Sequence, residues 1–199
     1  LMIAKIGLAM ALLITTLPTH AQEAATTTAT VLQPTSQWEV NYAENECRLL
    51  RTFGEGDARV ILRLARASSL ERFDLVLAGP GVPNLEYRPT TTLRLEPQGV
   101  EAESDGYSTR IPNRSDRFLR LFDADSAFLS QFNAQQILTI SAEDKVISLN
   151  LTNIRAALVA LQTCHDDLLS SWGFDVVAYR ALRSPPTATG LPSNAGCVY

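Results

Sequence analysis

Apolar and polar residues alternate along much of the first two thirds of the chain. Trp38, Val40 and Tyr42 share one parity, and after the polar stretch 43–46 Cys47, Leu49, Arg51 and Phe53 keep to the same rule. Val60, Leu62 and Leu64 repeat it, as do Phe73, Leu75 and Leu77, then Thr91, Leu93 and Leu95; Tyr107, Thr109 and Ile111 repeat it more weakly. The runs are broken by turn chemistry such as Gly54-Glu55-Gly56-Asp57 and Gly79-Pro80-Gly81. Residues 137–141 and 146–151 predict a last hairpin with Glu143-Asp144 at its tip. A spacing of two, broken at short intervals by turns, describes an antiparallel sheet with one face buried.

The period changes at Ile154. Leu158, Leu161, His165, Leu168 and Trp172 follow at spacings of four and three, and Ala157, Cys164 and Leu169 widen the stripe. Thr152 or Asn153 is placed to cap this helix and Gly173 to stop it. A shorter helix is expected across 124–132. A broad apolar stripe must lie on something, and the sheet is the available partner. The expected architecture is α+β: a mostly antiparallel β-sheet with a long C-terminal helix packed on one face.

The ends read differently. Lys5, the apolar run 6–14 and Leu17-Pro18-Thr19-His20-Ala21 have the order of a secretory signal peptide cut after Ala21. The run is far shorter than the ~20 residues of a membrane span, so no membrane span is expected after cleavage. Residues 22–36 read as a flexible Ala/Thr-rich lead-in, 37–183 as a single α+β domain, and 184–199 as a Pro/Gly-rich tail. The net charge of −4 becomes one unit more negative when Lys5 leaves. That excludes a generally basic nucleic-acid binder.

Three cysteines, Cys47, Cys164 and Cys197, remain after cleavage. Export leads to an oxidising compartment where disulfides persist. Cys47 opens a strand on its inward set, and Cys164 lies on the helix stripe, so helix-on-sheet packing brings the two into one core. A Cys47–Cys164 bridge is expected; two buried free thiols are the alternative. Cys197 is then a free thiol, an intermolecular bridge or a competitor for Cys164.

His20 leaves with the signal peptide, so His165 is the one histidine of the mature chain. No zinc site with several His ligands can be built, and any nucleophile–His arrangement must run through His165. Cys164 and His165 point about 100° apart on a helix, so they do not form such a pair with each other. His165 is therefore a weak catalytic candidate and fits better as a residue at the edge of the stripe. Asp123-Ala124-Asp125-Ser126 begins like a calcium loop but lacks its central Gly and closing Glu, so Asp123 or Asp125 reads as a helix cap. Glu96, Glu101, Glu103 and Asp105 read as a solvated face and loop. Arg110, Arg114, Arg117 and Arg120 crowd one stretch and are weak candidates for binding an anionic ligand. Lys5 and Lys145 are the only lysines among 17 basic residues, so arginines cluster easily here. No metal site and no cofactor is expected: no glycine-rich phosphate loop, Gly-x-Ser-x-Gly elbow or Cys-x-x-Cys pair is present.

Three stretches carry a resemblance: Leu32-Gln33-Pro34-Thr35 with Trp38-Glu39-Val40-Asn41-Tyr42-Ala43-Glu44-Asn45-Glu46-Cys47; Arg51-Thr52-Phe53-Gly54; and Leu161 through Cys164 to Asp167-Leu168 with Trp172-Gly173-Phe174-Asp175. Together they resemble a group of exported Gram-negative proteins of unknown function, in some of which this domain precedes a TonB-like module. The resemblance implies the periplasm. The residues after Arg183 are too few for that module, so no transducing role is expected, and the group lends no catalytic residues. The expected function is a non-catalytic binding or accessory module of the cell envelope, with an envelope protein or a small ligand as its partner. The alternative is a small periplasmic hydrolase using His165 as general base with a nearby Ser or Asp. Mass spectrometry of the exported protein should find its N-terminus at Gln22; retention of Lys5 would contradict cleavage.

Overall fold

The computed structural model describes residues 30–43, 45–66, 72–132 and 136–183. Among them lie the strands β1 (Val31–Leu32), β2 (Glu39–Tyr42), β3 (Cys47–Phe53), β4 (Val60–Arg66), β5 (Arg72–Gly79), β6 (Thr90–Glu96), β7 (Val100–Arg110), β8 (Arg117–Asp125), β9 (Ile137–Ala142) and β10 (Lys145–Asn150). The helices are α1 (Ser126–Ser130), α2 (Ile154–Ser171) and α3 (Val176–Arg183). The strands form one curled sheet in the order β1-β10-β9-β6-β7-β8-β5-β4-β3-β2. Only the β1–β10 pair is parallel. The expected α+β class, with the helix against the sheet, is the class observed.

The two edges of this sheet are one continuous segment. Val31 and Leu32 pair with Ser148 and Leu149 of β10. The chain then crosses to β3: Gly54 N–H donates to the Gln33 carbonyl and Thr35 N–H to the Thr52 carbonyl, each at 2.9 Å. Pro34 bridges Phe53, and β2 continues antiparallel along β3. The sheet therefore closes on itself. Residues 31–36, expected as part of a flexible lead-in, are instead ordered backbone that joins both edges. Residues 22–29, the signal segment, the tail 184–199 and Cys197 lie outside the described residues.

Period-two patterning explains the interior. On β3, Cys47, Leu49, Arg51 and Phe53 are buried and alternate with half-buried Arg48, Leu50 and Thr52. Leu62, Leu64, Leu75, Leu77, Leu93 and Leu95 are fully buried in the same cluster. Each such side chain contributes roughly 1.5–3 kcal/mol relative to leaving it in water. At one place the expected parity is reversed. Tyr107 and Thr109 face out, while Gly106 and Ser108 are the buried set of β7. Tyr42 is likewise exposed rather than inward.

The helix α2 lies against β3 and β2 and buries Ile154, Ala157, Leu161, Cys164, His165 and Leu169. Trp172, expected in this stripe, is half in solvent. Gly173 follows at φ +85° and ends the helix, as its position predicts. The start differs from expectation: Asn153 sits at φ 63° and makes no side-chain cap, and Asn150 Oδ1 instead accepts from the Thr152 backbone and hydroxyl. α1 is shorter than the helix expected over 124–132 and follows a strand, β8, that the sequence reading did not contain. Asp123 and Asp125 fall within β8.

Two links hold α2 down. Cys47 and Cys164 form a disulfide with Cα atoms 6.0 Å apart, across 117 positions of sequence. At the other end of the helix, Arg51 donates to the carbonyls of Ser36 and Thr152 and stacks over Trp38, whose Nε1 also donates to the Thr152 carbonyl. Arg51 is only 8 % exposed, and burial pushes its guanidinium pKa down from the ordinary value. A Cys164→Ser variant should lose about 2–4 kcal/mol of unfolding free energy, read from a denaturant titration. Unchanged stability would mean that α2 stays docked without the bridge.

Candidate functional site

The interior of the closed sheet is filled by leucine and phenylalanine side chains, so groups able to meet a ligand must be sought at its surface. His165 is not among them. It is 0 % exposed and sits with Cys164 on the buried side of α2. A general base must come within hydrogen-bonding reach of the proton it removes from a substrate, and a fully buried ring cannot do so. The expectation that it lies at the edge of the stripe is corrected to full burial. Neighbouring Asp166 turns the other way, accepting a two-point contact from Arg180 at 2.5 and 2.7 Å and a bond from Gln162.

Of the four arginines singled out by sequence, three come together at one turn and Arg120 stands apart. Arg110 and Arg117 are register partners at the β7–β8 turn, and Arg114 lies in that turn. Arg110 Nε donates to the Arg114 carbonyl and Arg117 to the Val82 carbonyl. Arg120 has the opposite parity from Arg117 and stands on the outer face. There it pairs with Asp74 and lies over the Phe122 ring, 4.6 Å from its centroid. The acidic residues Glu101, Glu103 and Asp105 form a solvated face, as expected, but on a strand and not in a loop.

Phe122, on whose ring Arg120 rests, helps to line a groove of about 400 Å³ with Arg88, Pro89, Asp105, Gly106 and Tyr107. The groove's position follows from β7, which changes partners in mid-strand. Val100–Asp105 pair with β6, and Gly106–Arg110 pair with β8. Beyond the end of β6, the Gly106 and Ser108 N–H groups donate to the Pro89 and Tyr87 carbonyls, each at 3.0 Å. A Cβ on Gly106 would come within 3.1 Å of the Pro89 carbonyl oxygen and 3.2 Å of Leu121, so this close approach favours glycine.

The walls combine aromatic rings with exposed charges. Tyr87 meets Tyr107 edge to face at 4.9 Å between centroids, and Arg88 lies over the Tyr87 ring at 5.8 Å. Phe122 is 40 % exposed and Tyr87 60 % exposed. Arg88 and Asp105 are exposed, and neither makes a side-chain hydrogen bond or ion pair within the described residues.

A second recess, of about 430 Å³, is lined by Glu96, Pro97, Gln136, Ile137, Asn150 and Thr152. Its polar groups are largely committed to neighbouring residues. Gln136 bonds Gln98 and the Gln131 carbonyl, Asn150 bonds Gln33, and Glu96 pairs with Arg94. The groove, with its uncommitted charges, is the better candidate for recognition.

Sequence reasoning missed Tyr87, Arg88, Tyr107 and Phe122 as site residues. The available signal was Phe118, Arg120 and Phe122 alternating with Leu119 and Leu121, a strand in which two aromatic residues face out. Comparison with protein-family models, curated proteins and solved structures finds no match, so the groove is read from its own chemistry. Full burial has a direct check. His165 should resist diethyl pyrocarbonate in the folded, oxidised protein and react once the chain is denatured; modification of the folded form would contradict the burial.

Proposed function

We propose that the protein is a non-catalytic binding module of the periplasm, serving the cell envelope, and that it meets its partner or ligand at the outer groove. One contrast carries the reading. The residue best suited to acid–base chemistry, His165, is sealed in the core, while exposed Arg88 and Asp105 line the groove beside aromatic rings and make no ion pair within the described residues. The disulfide suits an oxidising compartment. The resemblance to exported Gram-negative domains, some placed before a TonB-like module, supports looking for the partner in the envelope. No helix among the described residues is long and apolar enough to cross a membrane.

The purified, oxidised protein should turn over none of a panel of ester, phosphoester, peptide and glycoside substrates. A photo-crosslinking residue at Phe122, introduced in cells, should capture an envelope component, and Asp105→Asn should abolish that capture. Turnover removed by His165→Gln would overturn the reading in favour of a hydrolase. Recovery of the native protein in the cytoplasm with Cys47 reduced would overturn the compartment.

A further inference from the structure

We infer that the groove at Arg88, Asp105, Tyr107 and Phe122 is a saccharide subsite, taking pyranose units of a glycan chain. This rests on the binding-module reading and names its ligand class. The volume of about 400 Å³ lies at the small end of the range of clefts that hold small molecules. The walls match the two-sided character of a pyranose ring. One side of the ring presents C–H groups, which pack on an aromatic surface, and Phe122 and Tyr107 supply that surface. The ring's edge carries neighbouring hydroxyls, which both donate and accept. The Asp105 carboxylate can accept from one hydroxyl while the Arg88 guanidinium donates to the next.

Other ligand classes fit less well. An anion gains little, because Arg120 is already paired with Asp74 and Asp105 offsets the charge of Arg88. An extended peptide would add as a strand only along an open backbone edge. Here the Gly106–Arg110 stretch of β7 is paired with β8 on one side, and its Gly106 and Ser108 amides with the 87–89 segment on the other. A lipid chain needs a continuous apolar trough, and this groove alternates rings with charges. The rings are also in place before a ligand arrives. Tyr107 is braced by Tyr87 and Phe122 by Arg120, so the ordering cost of binding falls mainly on Arg88 and Asp105.

The test is a titration of the ¹⁵N-labelled, oxidised full chain with tri-N-acetylchitotriose and, separately, maltotriose, following the Gly106 and Tyr107 amide signals. At least one trisaccharide should shift these signals saturably. Asp105→Asn and Phe122→Leu should each weaken that binding by about tenfold or more, with Tm unchanged. Failure of both trisaccharides to move these amides at millimolar concentration would overturn the inference. So would inorganic phosphate producing the same shifts, or shifts confined to the recess around Gln136. If the crosslink at Phe122 forms while neither sugar binds, the saccharide class fails and the binding module stands. If a bound trisaccharide is recovered cleaved, the non-catalytic reading fails and saccharide recognition stands.

Discussion

The rest of the structure depends on the backbone pairing of residues 31–35. Two residues of β1 join β10, and the next three join the end of β3. An open sheet of this size would leave edge groups exposed at both ends, a standing invitation to pair with other chains. Letting one segment serve as both edges largely removes that problem, as closure does in barrels. It also fixes where α2 can go. The chain leaves β10 and enters the helix within a few residues, beside Ser36 and Trp38 where the closing segment crosses. Arg51 ties these pieces together through the Ser36 and Thr152 carbonyls. Cys164 then bonds to the start of β3. Closure and the buried arginine thus act at the start of α2, and the disulfide holds the helix farther along.

Closure has a chemical consequence. The inward faces of the strands meet in a core filled largely by leucine and phenylalanine. Polar groups that could handle a ligand are consequently on the outside. There some arginines pair with carboxylates, Arg120 with Asp74 and Arg180 with Asp166, and exposed pairs of this kind add little stability. Arg88 and Asp105 make no ion pair within the described residues, and they line a groove beside exposed aromatic rings.

The sequence made some of this legible and hid the rest for identifiable reasons. The strands carrying Leu at alternate positions, the last hairpin and α2 were readable because burial imposes a period that propensity alone does not. The disulfide was readable because both cysteines sat on inward sets. β1 was invisible: two residues carry no period, and their order comes from partners far away in sequence. The start of α2 was misjudged because Asn153 adopts a left-handed conformation and the local Asn150–Thr152 contacts replace the side-chain cap. His165 was placed at the edge of the helix stripe because spacing gives a residue's angle on the helix but not how deeply the neighbouring sheet covers it.

β7 is the most instructive case, because the feature that hid it is the one that makes the groove. Its inward residues around the partner change are Ser104, Gly106 and Ser108, all small. A reading that looks for large apolar residues at alternate positions finds none there and turns to Tyr107 and Thr109 instead. Small inward residues are what the position requires. Gly106 has Pro89 and Leu121 so close that an added Cβ would press on both, and Ser104 spends its hydroxyl on the Phe122 carbonyl. With the large side chains excluded from the inside, Tyr107 projects outward beside Phe122, and the strand's change of partner opens the space between them. The aromatic surface of the groove is therefore a direct result of how closely the backbones pack beneath it. A larger residue at 106 would disturb the core and the groove together.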